Sequence, residues 1–297
     1  MRAAIRPLKT FIQSSLQQLG RMLKRLKPLI PISDYTWSQL ALLVILVQRD
    51  MSSRYKGSIL GNVWPFLNQI ALLLIYTYVF SVVLQVKLSL KGMESSNPLT
   101  FGLWLFAGLL PWIAFSGGLA SSASSVVNQP NLVKKVVFPL SLLPIVPVGT
   151  MFIESTFGLM ALITLTAIST QTLHLTILLL PLVWIPQLLI TLGLGFLTSG
   201  LTVFIRDIPQ TLGVILNLWL YATPIVYPAE LIPEPFEKLI FWLNPLTAIC
   251  EMYRDTILIG EVTHWAEWGI ATVFSAVIFI GGFWCYRRLR PAFADVL

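Results

Sequence analysis

The sequence predicts an all-α protein that crosses a membrane several times, and three observations lead to this fold class. Hydrophobic residues make up 56% of the 297 residues, charged residues only 11%, and the mean hydropathy is +0.79. Since a soluble domain carries roughly 25% charged residues, this chain has too few to cover a water-facing surface. Its apolar residues also fall into stretches as long as a membrane-spanning helix.

Six stretches are long and apolar enough to span a bilayer, which takes about 20 residues. Because lipid offers the backbone no hydrogen-bond partners, these stretches are predicted to be helices. The predicted spans one to six lie near residues 66–86, 99–126, 140–168, 176–204, 211–227 and 266–286. Together they form a predicted six-span domain at 62–290, followed by a cytoplasmic tail at 291–297.

The basic residues predict the orientation. Ten of the 20 Lys and Arg residues precede span one, two lie between spans two and three, one lies between spans four and five, and three follow span six. One side of the membrane therefore holds 16 of the 20. Cytoplasmic loops carry the excess of Lys and Arg, so both termini are predicted to be cytoplasmic. The net charge of +7 has the same origin, and no nucleic-acid partner is predicted.

Two segments precede span one. Residues 1–33 are predicted to be a basic N-terminal extension without the apolar run of a signal peptide. Residues 34–61 are predicted to form an amphipathic helix in the inner membrane interface, because apolar residues recur every three or four positions. The apolar face holds Trp37, Leu40, Val44, Val47, Met51 and Tyr55. The residues expected to meet anionic lipid or an acidic partner are Arg49, Asp50, Arg54, Tyr55 and Lys56.

Residues 236–260 are apolar, but they are not predicted to be a seventh span. They contain five charged residues and an Asn-Pro break, and a seventh span would place the basic C-terminal tail outside. We predict two short re-entrant helices that enter the membrane from the outer side and return, with their backbone shielded by protein. The candidate residues of this segment are Asn244, Pro245, Tyr253 and Arg254.

Three stretches resemble the membrane-spanning subunits of type-2 ABC exporters, in the branch that exports polysaccharides and polyol phosphates. RDMSSRYKGSILGNVWPFLNQI at 49–70 resembles the RD…RY…LG…W pattern before the first span of these permeases. RDIPQTLGVILNLWLYATPIVYP at 206–228 resembles their segment entering span five. LNPLTAICEMYRDTILIG at 243–260 resembles their segment before span six. The resemblance covers about residues 34–290.

The resemblance implies a homodimer in the cytoplasmic membrane, with each subunit docked on a separate ATPase chain. The sequence agrees in one respect, since it contains no G-x-x-x-x-G-K-[ST] motif to hold ATP phosphates. We therefore expect a permease subunit with no catalytic residues, no metal and no cofactor of its own. ATP and Mg²⁺ would be bound by two copies of the ATPase. The expected cargo is a polysaccharide or a lipid-linked glycan.

A basic segment between spans two and three falls where this family has a coupling helix that enters a cleft of the ATPase. The predicted coupling residues are Asn131, Leu132, Val133, Lys134, Lys135, Val136 and Val137. The alternative interpretation is a basic cytoplasmic loop with no partner.

Spans one and five are unusually aromatic, and in the family these spans line the channel between two subunits. Sugar rings can lie flat on aromatic faces, and Tyr and Trp add a polar group for hydroxyls. Ordinary helix packing is the alternative. The predicted channel-lining residues are Tyr76, Tyr78, Phe80, Trp219, Tyr221 and Tyr227.

Glu154 is the one carboxylate deep inside a predicted span, so it is a candidate for a proton relay or for a structural contact. Two other functions also stay open at this stage. The first is export of small drugs by a permease of the same superfamily. The second is a membrane-embedded transferase acting on a lipid-linked sugar, which would need clustered acids or His at one membrane face.

Overall fold

The computed structural model describes residues 33–297 except 59, 86–97, 136–137, 172, 230–231 and 234–235. No strand occurs among these residues, and the all-α prediction is confirmed. All but one residue of the predicted N-terminal extension lies outside the described part. In chain order the helices are α1 (Asp34–Arg54), α2 (Trp64–Tyr76), α3 (Pro98–Ala123), α4 (Pro130–Lys135), α5 (Leu142–Thr170), α6 (Leu180–Thr202), α7 (Ile208–Ala222), α8 (Phe236–Leu243), α9 (Pro245–Arg254), α10 (Trp265–Leu289) and α11 (Phe293–Val296).

Within the described part of the chain, five helical segments are long and apolar enough to cross a membrane, and they match predicted spans one, two, three, four and six. They are Trp64–Val83, Leu99–Ala123, Leu142–Thr170, Leu175–Thr202 and Trp265–Val296. Span two is the most deeply buried of the five, because it packs against helices from spans one, three, four and five. In span one, α2 continues as a π-helical segment, Thr77–Val83.

Predicted span five is the helix α7, which is apolar but only 15 residues long. At 1.5 Å per residue it covers about 22 Å, which is less than the hydrocarbon core. The helix ends at Ala222 because Thr223 precedes Pro224 and adopts an extended conformation. The predicted end at residue 227 was therefore too late.

The predicted apolar face of α1 packs against span three. Trp37, Val47 and Met51 are buried, and Met51 contacts Ile153 and Phe157 of α5. The following turn contains Gly57 with a positive φ of 83°, a conformation that suits glycine. The apolar face of α1 therefore contacts protein along part of its length.

The segment predicted to be re-entrant, 236–260, forms two short helices that break at Asn244, as the sequence predicts. The Asn244 side chain accepts a 3.2 Å hydrogen bond from the Leu246 N–H, and Pro245 occupies the first helical position. Both features stabilise a helix start. All ten residues of α9 are buried. A π-helical turn, Asp255–Ile259, then leads to Gly260.

The predicted tail at 291–297 folds back onto the helix bundle. Phe293 is fully buried, and its ring lies 5.4 Å from that of Tyr286 and 6.2 Å from that of Phe204. The chain end is therefore part of a packed inner cluster.

Candidate functional site

Arg254 is a fully buried cation at the end of α9, and it joins three parts of the fold. Its Nη1 and Nη2 donate 2.9 Å hydrogen bonds to the backbone carbonyls of Pro224 and Ile225, just beyond α7. The guanidinium also pairs with Glu251 and lies 3.6 Å from the ring centre of Trp104 in span two. A buried charge needs such partners, because desolvation penalises an unpaired one strongly. Arg254 thus fixes α9 to spans two and five.

The other predicted residues of the outer segment are also anchors. Asn244 Nδ2 donates to Thr223 Oγ1 at 2.8 Å, and Trp219 Nε1 donates to Asn244 Oδ1 at 3.0 Å. Tyr253 donates a 2.9 Å hydrogen bond to Gln187 of span four. Together with Pro245 at the helix start, these residues hold α9 inside the bundle.

Of the six predicted channel-lining residues, two are exposed, three pack against the core and one is half-buried near the surface. Tyr78 and Tyr221 project from the surface, with 61% and 69% of their area exposed. Tyr76, Phe80 and Trp219 pack against the main hydrophobic core, which contains many residues of span two. Tyr227 is half-buried and donates a 3.0 Å hydrogen bond to the Tyr221 carbonyl.

Trp219 shows why its group packs inward. Its ring meets Phe115 at 5.3 Å and Trp112 at 6.4 Å in edge-on contacts, while its N–H is bonded to Asn244. In the same way Phe80 stacks on Phe101 at 5.5 Å. These contacts favour helix packing at Trp219 and Phe80, one of the two interpretations of the sequence.

A cleft of about 440 Å³ lies at one end of the bundle, and two segments that are predicted to bind a partner line it. Its wall includes Arg49, Asp50 and Arg54 of α1, and Leu132 of α4. Arg54 pairs with Asp50 at 3.1 Å, whereas the Arg49 side chain is exposed. The remaining wall is largely Ser and amide side chains: Ser53, Ser121, Ser124, Ser125, Asn128 and Gln129.

The predicted coupling residues do not all point outward. Asn131 and Lys134 are exposed, but Leu132 and Val133 are half-buried against the inner cluster of Phe293 and its neighbours. The side chain of Lys135, and both Val136 and Val137, lie outside the described residues. The surface that α4 offers to a partner is therefore narrower than the sequence predicts.

Glu154 of span three contacts Tyr55, the residue that follows α1. The Tyr55 hydroxyl donates a 3.3 Å hydrogen bond to Glu154 Oε1, and only 9% of Glu154 is exposed. Burial and the nearby Glu154 charge raise the pKa of Tyr55 to about 12, so its hydroxyl keeps the proton that it donates. This bond favours the structural interpretation of Glu154. Lys56, the next residue along, is exposed in the turn.

Known proteins resemble this chain over most of its length. The ABC-2 type transporter family matches residues 41–258. The O-antigen export system permease protein RfbA of Myxococcus xanthus is 34% identical over 214 residues, 72% of this chain and 78% of that protein. RfbA of Klebsiella pneumoniae is 28% identical over 86% of this chain and 95% of its own length. The polysialic acid transport protein KpsM of Escherichia coli is 22% identical over 83% of this chain and 93% of its own length. The family match over residues 41–258 and the 34% identity over 72% of the chain show that the chain belongs to the ABC-2 type transporter family.

Proposed function

We propose that this chain is the permease subunit of an exporter that moves a polysaccharide or a lipid-linked glycan across the cytoplasmic membrane. The observation that carries this proposal is the similarity to permeases named for O-antigen export and polysialic acid transport, over 72–86% of the chain. The chain is not an enzyme by itself. A separate ATPase subunit, with its ATP and Mg²⁺, supplies the energy.

The glycan path forms between two copies of the chain. Spans one and five both pack against span two, and both carry large exposed apolar side chains. A second copy facing this surface would cover it and enclose the exposed rings. The exposed residues include Leu74, Ile75, Tyr78, Val82, Val83, Val214, Ile215, Leu218 and Tyr221.

The ATPase docks at the end of the bundle that carries α4. At this end Leu132 lies beside α1, and Phe204 and Phe293 are in ring contact. The segments between spans two and three, between spans four and five, and after span six therefore meet at one end. At the other end, Thr176 donates to the Thr256 carbonyl at 2.8 Å. This arrangement supports six crossings with both termini in the cytoplasm.

Deleting the gene tests the function. In a cell that carries it, we expect the surface glycan to disappear while lipid-linked glycan accumulates inside. The gene should restore export only together with an ATPase whose phosphate-loop lysine is intact, since ATP supplies the energy. The measurement is surface and intracellular glycan per cell. Unchanged surface glycan with a new sensitivity to small drugs would contradict the proposal and support a drug exporter.

Cysteine labelling tests the orientation and the docking surface together. With both native cysteines replaced by Ser, Asn131→Cys is expected to react with an impermeant thiol reagent only in inside-out vesicles, and bound ATPase should protect it. Leu173→Cys is the matched control, because Asn131 and Leu173 are both exposed and lie at opposite ends of the bundle. It should react only in right-side-out vesicles, with or without ATPase.

Each arm of the labelling experiment has its own contrary outcome. Labelling of Asn131→Cys in right-side-out vesicles would overturn the orientation. Equal labelling with and without the ATPase would overturn docking at α4.

A further inference from the structure

One buried carboxylate collects the hydrogen bonds that close the loop between the outer helices and the last span. Asp255, at the end of α9, is fully buried. Its Oδ2 accepts from the Thr263 N–H at 2.8 Å, from the Thr263 hydroxyl at 3.1 Å, and from the His264 N–H at 3.3 Å. The His264 Nδ1 lies 2.9 Å from the same oxygen. The imidazole is therefore fixed at the start of α10.

The His264 ring also contacts α8. The His264 ring stacks on Phe241, with ring centres 5.8 Å apart and planes within 4° of parallel. One imidazole thus links Asp255 to α8 at the entry to the last span.

The two outer helices are held very differently. In α9 every residue is buried, and Arg254 and Tyr253 bond to neighbouring spans. In α8, by contrast, Trp242 and Leu243 are each 63% exposed. The Phe241–His264 stack therefore joins a helix with exposed apolar side chains to the start of the last span.

From this geometry we infer that His264 is a positioning residue, which holds α8 against the start of the last span while its imidazole carries a proton. A charged imidazole strengthens both of its contacts. It forms an ion pair with Asp255, and it presents a cation to the face of Phe241. Loss of the proton weakens both contacts at once, and α8 loosens.

The surroundings favour the protonated form. Among the described side chains, the charged groups near His264 are Asp255, Glu251 of α9 and Glu267 of α10, all acidic, and Phe241 of α8 presents a neutral ring. The hydrogen bond to Asp255 raises the pKa of His264 above its usual value, with burial opposing and the acidic charges adding to the effect. A raised pKa means that the stabilisation is complete below pH about 6.5 and disappears as the pH rises through the folded-state value.

Hydrogen exchange of α8 tests this inference on the full-length permease in lipid nanodiscs with its ATPase. Wild type is compared with His264→Gln at the same pH, so the intrinsic pH dependence of exchange cancels. At pH 5.5 we expect amides of 236–244 to exchange at least about fivefold more slowly in wild type, and at pH 8.5 we expect a clearly smaller difference. Phe241→Leu should remove the pH-dependent difference.

The matched control is His174→Gln, which changes the other histidine of the chain and should leave the wild-type pH dependence intact. A wild-type to His264→Gln ratio that does not change with pH would overturn the inference. A ratio of one at both values would do the same. The measurement does not depend on the cargo, so it stands apart from the outcome of the export experiment.

Discussion

Replacing Arg254 with Ala is expected to destabilise the permease more than any change to a surface charge. Removing one partner of a buried ion pair typically costs about 3–5 kcal/mol, because the remaining charge stays buried without compensation. Here Glu251 would be left in that state. The carbonyls of Pro224 and Ile225 would also lose the donors that Arg254 supplies.

Arg254→Lys separates charge from shape. The guanidinium donates to two adjacent carbonyls and lies on the Trp104 ring at the same time. An ammonium group is a compact point charge without that planar fork, so Lys should recover only part of the loss. Arg288→Ala, an exposed change in α10, is the control and should be nearly neutral.

The measurement is the free energy of unfolding in detergent, with the yield of monodisperse protein as a second readout. We expect the stability order wild type, Arg288→Ala, Arg254→Lys and Arg254→Ala, with the first two nearly equal. A wild-type unfolding free energy for Arg254→Ala would show that the buried contacts of Arg254 do not hold the outer helices.

Local sequence patterns predicted much of this fold, because span length and helical periodicity depend on neighbouring residues. The apolar stretches located the spans, and the Asn244–Pro245 break located the two short helices. The end of α7 could also have been predicted, since Thr223 stands directly before Pro224. The predicted boundary was wrong because it included the apolar residues that follow the proline.

Contacts between distant residues could not be predicted from one sequence. The Tyr55–Glu154 bond joins residues 99 positions apart, and each alone suggested a different role. The inward packing of Leu132 and Val133 depends on Phe293 at the other end of the chain. Likewise, Asp255 and His264 looked unrelated, because the connecting loop had no recognisable pattern.

The sequence contains part of the information that separates the exposed Tyr78 from the packed Tyr76 and Phe80 in span one. Tyr76 and Phe80 are four positions apart and share a helical face, whereas Tyr78 lies two positions from each and on the opposite side. Periodicity alone could therefore have separated Tyr78 from the other two. It could not have said which face meets span two, since that requires the tertiary structure.

This separation gives the second large effect, a loss of export when Tyr78 and Tyr221 are both replaced by Leu. Leu keeps apolar area for the contact between two copies, but it removes the flat ring and the hydroxyl. Aromatic contacts are worth about 0.5–1.5 kcal/mol each beyond area burial, and a dimer would lose four rings. We therefore expect surface glycan per assembled complex to fall at least about tenfold, with ATPase binding unchanged.

Two control variants test whether the loss of export depends on the aromatic ring and on its position in spans one and five. The Tyr78→Phe and Tyr221→Phe pair keeps both rings, so it should export much better than the Leu pair if stacking on sugar faces is what matters. Tyr35→Leu changes a tyrosine of α1 that is 71% exposed but lies outside spans one and five, and it should export normally. Equal export by all three variants would place Tyr78 and Tyr221 against lipid, because rings that line a sugar path cannot be removed without weakening contact with the passing chain.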